Sequence, residues 1–213
     1  MILNDDVAKK TAELLLQIKA IKLNPGKPFQ WASGWLSPIY CDNRKTLSYP
    51  KVRTYIRQQL ADGLEEKFGR PDVIAGVATG AIAHGVLAAQ ALDIPFVYVR
   101  PKPKEHGLGN QIEGDMESGQ SVVIIEDLIS TGMSSLSALE AIRQAGGNVK
   151  GMISIFDYGF KQSETAFAES NCTLFSLSGY ATLLEVAAES QYINRDELKT
   201  LEAWHKQPST WKP

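Results

Sequence analysis

With 213 residues, 44% of them hydrophobic and 22% charged, the chain has enough apolar material for one sizeable α/β domain. A formal net charge of -2 excludes a general basic field for nucleic acid or anionic membrane, so any anion must be met by local clusters. The two cysteines, Cys41 and Cys172, form no CxxC pair, and no apolar run nears the roughly 18 residues of a membrane span.

The opening "MILNDDVAKK" has acids where a signal peptide would have a basic start, so a cytoplasmic protein is expected. "DDVAKKTAELLLQIKAI" has a helical apolar period with Asp5 or Asp6 as its cap, and "LNPGKP" stops it. "FQWASGWLSPIYCDNR", residues 29–44, is aromatic and broken by Gly and Pro, which favours strands or loops. Pro50 opens a second amphipathic helix, "PKVRTYIRQQLADGLEEKF".

From residue 71 short apolar strands alternate with helices: strand "DVIAGVA", helix "AIAHGVLAAQAL", strands "IPFVYV" and "SVVIIE", helix "SSLSALEAIRQAG". Strand "NVKGMISIF", helix "SETAFAES" and strand "CTLFSL" follow. This alternation predicts a central, mostly parallel sheet flanked by helices, an α/β fold whose buried strands are apolar throughout. Two helices close the chain, the first with a capping-box pattern at Thr182 and Glu185, the second capped by Asn194 with Glu197 behind it. We expect one domain over 1–213: an N-terminal add-on over about 1–45, a core over about 50–180 and C-terminal helices over about 181–205.

Ligands of open α/β sheets sit beyond the carboxyl ends of the strands. In "VVIIEDLISTGMSS" a strand delivers Glu126 and Asp127 and then a turn rich in hydroxyls, with a helix starting near Ser134. Free N–H groups at the helix start, with Ser130, Thr131 and Ser134, form an anion pocket. Carboxylates repel a phosphate, so they need another target in the same ligand, and vicinal hydroxyls or a divalent cation both qualify. A phosphate at one end and a diol at the other describes a ribose 5-phosphate. The plainer alternative is a capped turn with two solvated acids.

"RPKPKEHGLGNQIEGDMESGQ", residues 100–120, shows no periodicity and gathers Arg100, Lys102, Lys104 and His106. Such a loop suits a lid over a polyanion, or is simply a charged surface loop. "GVATGAIAHG" offers a second turn of small residues for an anion. His84 and His205 lack catalytic context. Trp31, Trp35 and Tyr40 could stack on a planar ring and Arg44 could meet a carboxylate, although such residues more often cap a core.

Together these stretches resemble type I phosphoribosyltransferases. "VVIIEDLISTGMS" is similar to that family's motif for phosphoribosyl pyrophosphate (PRPP), "RPKPKEHG" resembles the catalytic loop of its orotate phosphoribosyltransferase branch, and "FQWASGWLSPIYCDNR" resembles that branch's N-terminal hood. The resemblance runs in order from about residue 10 to about 190. It implies transfer of ribose 5-phosphate from PRPP to N1 of orotate, with Mg²⁺ required, in pyrimidine nucleotide synthesis.

By matching positions, Glu126 and Asp127 would hold the ribose hydroxyls, and Leu128, Ile129, Ser130, Thr131, Gly132, Met133 and Ser134 would wrap the 5′-phosphate. Arg100, Lys102, Lys104 and His106 would reach the pyrophosphate, with Thr79 and Gly80 also at PRPP. Arg100, Lys104, His106 and Asp127 are the implied catalytic residues, and Ser130, Tyr40 and Arg44 the candidate orotate contacts. No direct protein ligand is expected for Mg²⁺, which would arrive with PRPP and lie near Asp127. The resemblance also implies a homodimer whose 100–119 loop crosses into the neighbouring site.

Some positions depart from the family's best-known branch. Ala32 and Gly80 stand where lysines are expected, Pro101 follows Arg100 in place of lysine, and Tyr158 replaces an arginine beside the orotate carboxylate. Arg44 is the candidate substitute. Transfer to another base, or PRPP sensing without catalysis, are the competing readings. A dinucleotide enzyme would need a glycine fingerprint that this chain lacks.

Overall fold

The computed structural model describes residues 1–31, 33–102 and 111–213. The chain begins with α1 (Asp5–Gln17), followed by strands β1 (Ile21–Leu23), β2 (Phe29–Gln30), β3 (Leu36–Ser37) and β4 (Ile39–Cys41). A 3₁₀ helix (Asn43–Ser48) and α2 (Pro50–Phe68) lead into the core. The core runs β5 (Val73–Val77), α3 (Ala81–Leu92), β6 (Phe96–Val99), β7 (Ile112–Glu113), β8 (Ser121–Ile129), α4 (Met133–Gln144), β9 (Asn148–Asp157), α5 (Lys161–Glu169) and β10 (Leu174–Gly179). Helices α6 (Tyr180–Glu189) and α7 (Arg195–Lys206) complete it.

The main sheet has the order β10-β9-β8-β5-β6-β7, and every pair is parallel except β6 with β7. Side chains of successive strand residues go to opposite faces. Ile74, Val123, Ile125, Ile153 and Ile155 accordingly join residues of α1, α2, α3, α6 and α7 in one core. Val73, Ala75, Val122, Ile124 and Met152 join α4 and Phe167 of α5 in the other. Burial on both faces is why these strands are apolar without alternation.

β5 is flanked by β6 on one side and β8 on the other. The chain leaves β5 in one direction and later returns to its other edge, so the crevice between β5 and β8 is the topological switch point where such sheets bind ligands.

Several local expectations change. The first helix is capped by Asn4, whose side chain accepts from the N–H groups of Asp6 and Val7, so Asp5 and Asp6 lie in its first turn. That helix stops at Gln17 with Ile18 as its cap, Lys19 turns the chain through a left-handed conformation, and Ile21–Leu23 then pairs antiparallel with β4. Thr182 is inside α6, which starts after Gly179 without a side-chain cap, so the "TLLE" pattern is not a capping box. The capping box of Asn194 and Glu197 is present in full. The segment expected to be structureless over 100–119 contains β7, whose Ile112 pairs with Val99.

Candidate active site

β8 runs past the acid pair to Ile129, so Glu126 and Asp127 lie within the strand rather than beyond its end. Its ladder with β5 closes at Gly76 and Ile125, so the two acids lie on β8 just past the end of that pairing. Glu126 is 4% exposed, and its two oxygens accept separately from the Ser135 hydroxyl and the Asp127 N–H, each at 2.9 Å. Asp127 is more open. Burial, reinforced by the neighbouring Asp127, pushes the Glu126 carboxyl well above the ordinary range, and burial also raises Asp127. Two adjacent desolvated carboxylates favour whatever donates protons or positive charge to them.

The turn after β8 ends at Gly132, whose φ of 82° lies in the left-handed region, so α4 can start at once with its free N–H groups over the crevice. Ser130 and Thr131 are half-buried, Met133 and Ser134 exposed. Ile129 is different: its side chain is fully buried and its carbonyl accepts from the Tyr158 N–H at 3.0 Å, so its side chain serves the core. Leu128 likewise packs against the opposite core.

Across the crevice, the turn after β5 carries the cis peptide Ala78–Thr79 and leads to Gly80 at the start of α3. A Cβ at Gly80 would strike the Asp127 carboxyl group. The lysine of the other branch is therefore absent where Asp127 comes closest. A cleft of about 210 Å³ joins Val77, Ala78, Val99, Arg100, Met133 and Ser134, bringing together the two turns and the end of β6.

Arg100 follows β6, and both its main-chain groups are tied to Gln111: its N–H donates to the Gln111 carbonyl at 2.9 Å and its carbonyl accepts from Gln111 Nε2 at 2.8 Å. The Arg100 side chain approaches Glu113 at 3.5 Å and Lys102 is exposed. Lys104 and His106 lie outside the described residues, as does Ala32.

In the hood, β1 pairs with β4 and β2 with β3. Tyr40 is 41% exposed, and Asp42 holds Arg44 Nε at 2.7 Å while the guanidinium stays more than half exposed. That bond raises the pKa of Arg44, with Asp127 and Tyr40 close enough to add to it. Trp31 takes the plainer role: its ring packs 5.2 Å from Tyr158 and its Nε1 donates to the Ile39 carbonyl. Tyr158 is 1% exposed among Trp31, Phe156, Phe160 and Trp204. It fills an aromatic core in the place of the expected arginine.

Sequence reasoning did not find Asn43, whose Nδ2 donates to the Asp127 carbonyl at 2.6 Å, or Ser135 beneath Glu126. Ser135 is adjacent to a hydroxyl run and was within reach of a helical-phase reading. Asn43 carries no local signal. A larger hollow of about 690 Å³ between α6 and α7 collects Glu185, Glu189 and Glu202, the wrong charge for a polyanion. Among the described residues no helix is long and apolar enough to cross a membrane.

An acid pair and two backbone turns at the switch point of a parallel sheet describe a sugar-phosphate site, and residues 45–174 match the family model described as a phosphoribosyl transferase domain. Orotate phosphoribosyltransferase from Bacteroides fragilis is 53% identical over 201 residues, covering 94% of this chain and 95% of that protein. The Listeria innocua enzyme of that name is 51% identical over 205 residues, covering 96% and 98%. Among solved structures, orotate phosphoribosyltransferase from Aeropyrum pernix superposes with a TM-score of 0.75 at 28% identity, over 86% of this chain and 99% of that one. UMP synthase from Leishmania donovani gives 0.79 at 25% identity, over 93% of this chain, which spans 42% of that longer protein. The chain belongs to the orotate phosphoribosyltransferase family.

Proposed function

We propose that the protein transfers ribose 5-phosphate from PRPP to N1 of orotate, releasing pyrophosphate and orotidine 5′-phosphate for de novo pyrimidine synthesis. The reading is carried by Asp127, which stands in the β5/β8 crevice between Gly80 and the turn that opens α4.

In this reading the N–H groups at the start of α4, with Ser130, Thr131 and Ser134, hold the 5′-phosphate. Asp127 takes the ribose hydroxyls, and Glu126, already bonded to Ser135 and the Asp127 N–H, stiffens the strand behind it. The C1–oxygen bond to pyrophosphate breaks as the C1–N1 bond forms, so positive charge develops on the sugar and negative charge on the leaving group. The acids lie on the sugar side. Arg100, Lys102, Lys104 and His106 belong to the leaving-group side, where cations act on charge as it appears. Closure of the 100–119 segment would exclude the water that hydrolyses an activated sugar.

The desolvated acid pair fits a divalent cation that brings most of its oxygen ligands with it. Mg²⁺ would neutralise the leaving pyrophosphate, with Asp127 the nearest carboxylate. Tyr40, Ser130 and Arg44 are proposed for orotate, Arg44 meeting its carboxylate. A homodimer that shares the 100–119 loop, and a cytoplasmic location, complete the proposal.

The test is pyrophosphate release from PRPP and Mg²⁺ with a panel of bases. Release with orotate is expected. Release only with a purine, or no release with any base, would overturn the reading.

A further inference from the structure

The hood reaches the acid pair through a buried chain of hydrogen bonds. Asn43, the first residue of the 3₁₀ helix, is fully buried, and its Nδ2 donates to the Asp127 carbonyl at 2.6 Å. Its Oδ1 accepts from Cys41 Sγ at 3.4 Å, and its own carbonyl accepts from the Thr46 hydroxyl at 2.6 Å. Thr46 is fully buried and its oxygen lies 3.3 Å from His84 Nε2. With the single hydroxyl proton spent on Asn43, that oxygen can only accept, so His84 Nε2 carries the hydrogen.

His84 belongs to α3, about one turn past Gly80, and Gly80 abuts the Asp127 carboxyl group. The chain of contacts therefore closes on itself. It runs from the Asp127 main chain through Asn43, Thr46 and His84 into α3, and back through Gly80 to the Asp127 side chain. We infer that Asn43 is a positioning residue that sets the sugar-reading carboxylate of Asp127 against the turn at Gly80. This rests on the transfer reading above.

A buried amide at the start of a short helix could serve that helix alone. Asn43 spends its donor elsewhere, on the residue between Glu126 and Leu128, 84 positions away. Without that donor the Asp127 carbonyl is left short of a partner, and the strand end can shift by the fraction of an ångström that matters to an oriented ligand. Arg44 has its own tie to Asp42, so the orotate side of the hood does not depend on the Asn43 amide.

The test compares wild type with Asn43→Leu, which keeps the forked side-chain skeleton with bulkier methyl ends and removes the donor, and with Thr46→Val, which is close in size and cuts the next link. For Asn43→Leu the KM for PRPP should rise about tenfold and kcat fall, while the KM for orotate stays within about twofold. Thr46→Val should show the same split at about threefold, and it decides the matter if Asn43→Leu does not fold. A folded variant with an unchanged KM for PRPP, or with both KM values rising together, overturns the inference. Wild type releasing no pyrophosphate with orotate overturns the transfer reading instead. In that case PRPP titration calorimetry on the same variants decides the positioning role by the same fold-changes in affinity.

Discussion

Trp204 Nε1 donates to the main-chain carbonyl of Leu36 at 3.1 Å, joining α7 to the hood across 168 residues. Trp204 is fully buried, with its ring 5.6 Å from Trp31 and 6.0 Å from Tyr158. The last helix thus holds the strand that leads to Tyr40 and Arg44. Trp204→Phe keeps most of the packing and loses the N–H. We expect a loss of about 2–3 kcal/mol in stability, from the lost bond and the space left by the smaller ring, and a higher KM for orotate with the KM for PRPP unchanged. Denaturant unfolding with two-substrate kinetics checks it, and equal effects on both KM values would show that the brace does not act through the hood.

Gly80 has φ -62° and ψ -37°, an ordinary right-handed conformation that alanine adopts freely. Its added methyl would meet the Asp127 carboxyl group. Gly80→Ala should therefore fold with little change in Tm and raise the KM for PRPP about tenfold or more. An unaltered KM would place Asp127 away from the sugar.

Arg44→Ala should raise the KM for orotate at least about tenfold while PRPP binding holds. Arg44→Lys should not restore it, because a point charge cannot form the two parallel bonds of a guanidinium with a carboxylate. Full restoration by lysine would leave a charge role without the bidentate geometry.

Burial drives the His84 pKa down from 6.5 to about 4, against a weaker upward pull from the Asn43 main chain. The folded state therefore binds this proton less well than the unfolded chain. The contribution to stability is whole above pH 6.5 and is lost as pH falls towards 4. His84→Gln can still donate to Thr46 but does not titrate. Wild type should lose up to about 3 kcal/mol more stability than this variant between pH 7 and 4. Glu126 and Asp127 have raised pKa values, so they oppose this trend by making the fold more stable as pH falls. They do so in both proteins and cancel in the difference. Parallel stability curves would show that His84 is not held neutral.

The periodic elements were legible because their signals are local. "AIAHGVLAAQAL" coincides with α3, and the apolar runs from Val73 and Val122 coincide with strands buried on both faces. The meeting of Asp127 with Gly80 joins a residue inside β8 to the turn after β5, and the sequence showed only that both lie near strand ends. The aromatic hood left two roles open: Trp31 is as suited to stacking on a substrate as on Tyr158, and its packing on Tyr158 and Trp204 assigns it to the core, the commoner role for such residues. Local capping signals split the same way, with Asn194 and Glu197 forming their box while Thr182 fell inside a helix that follows β10 directly.

By itself the sequence determined the α/β alternation, the acid pair followed by its hydroxyl turn, and the cationic segment from Arg100. Each depends on neighbours a few residues apart, through strand burial or the free N–H groups of a helix start. Only the tertiary structure decided that Tyr158 fills an aromatic core and that Asn43 holds the Asp127 main chain. Only it placed α7 against the hood. Those contacts span 84 and 168 residues, and no local preference encodes a partner that far away, because chain folding alone brings them together.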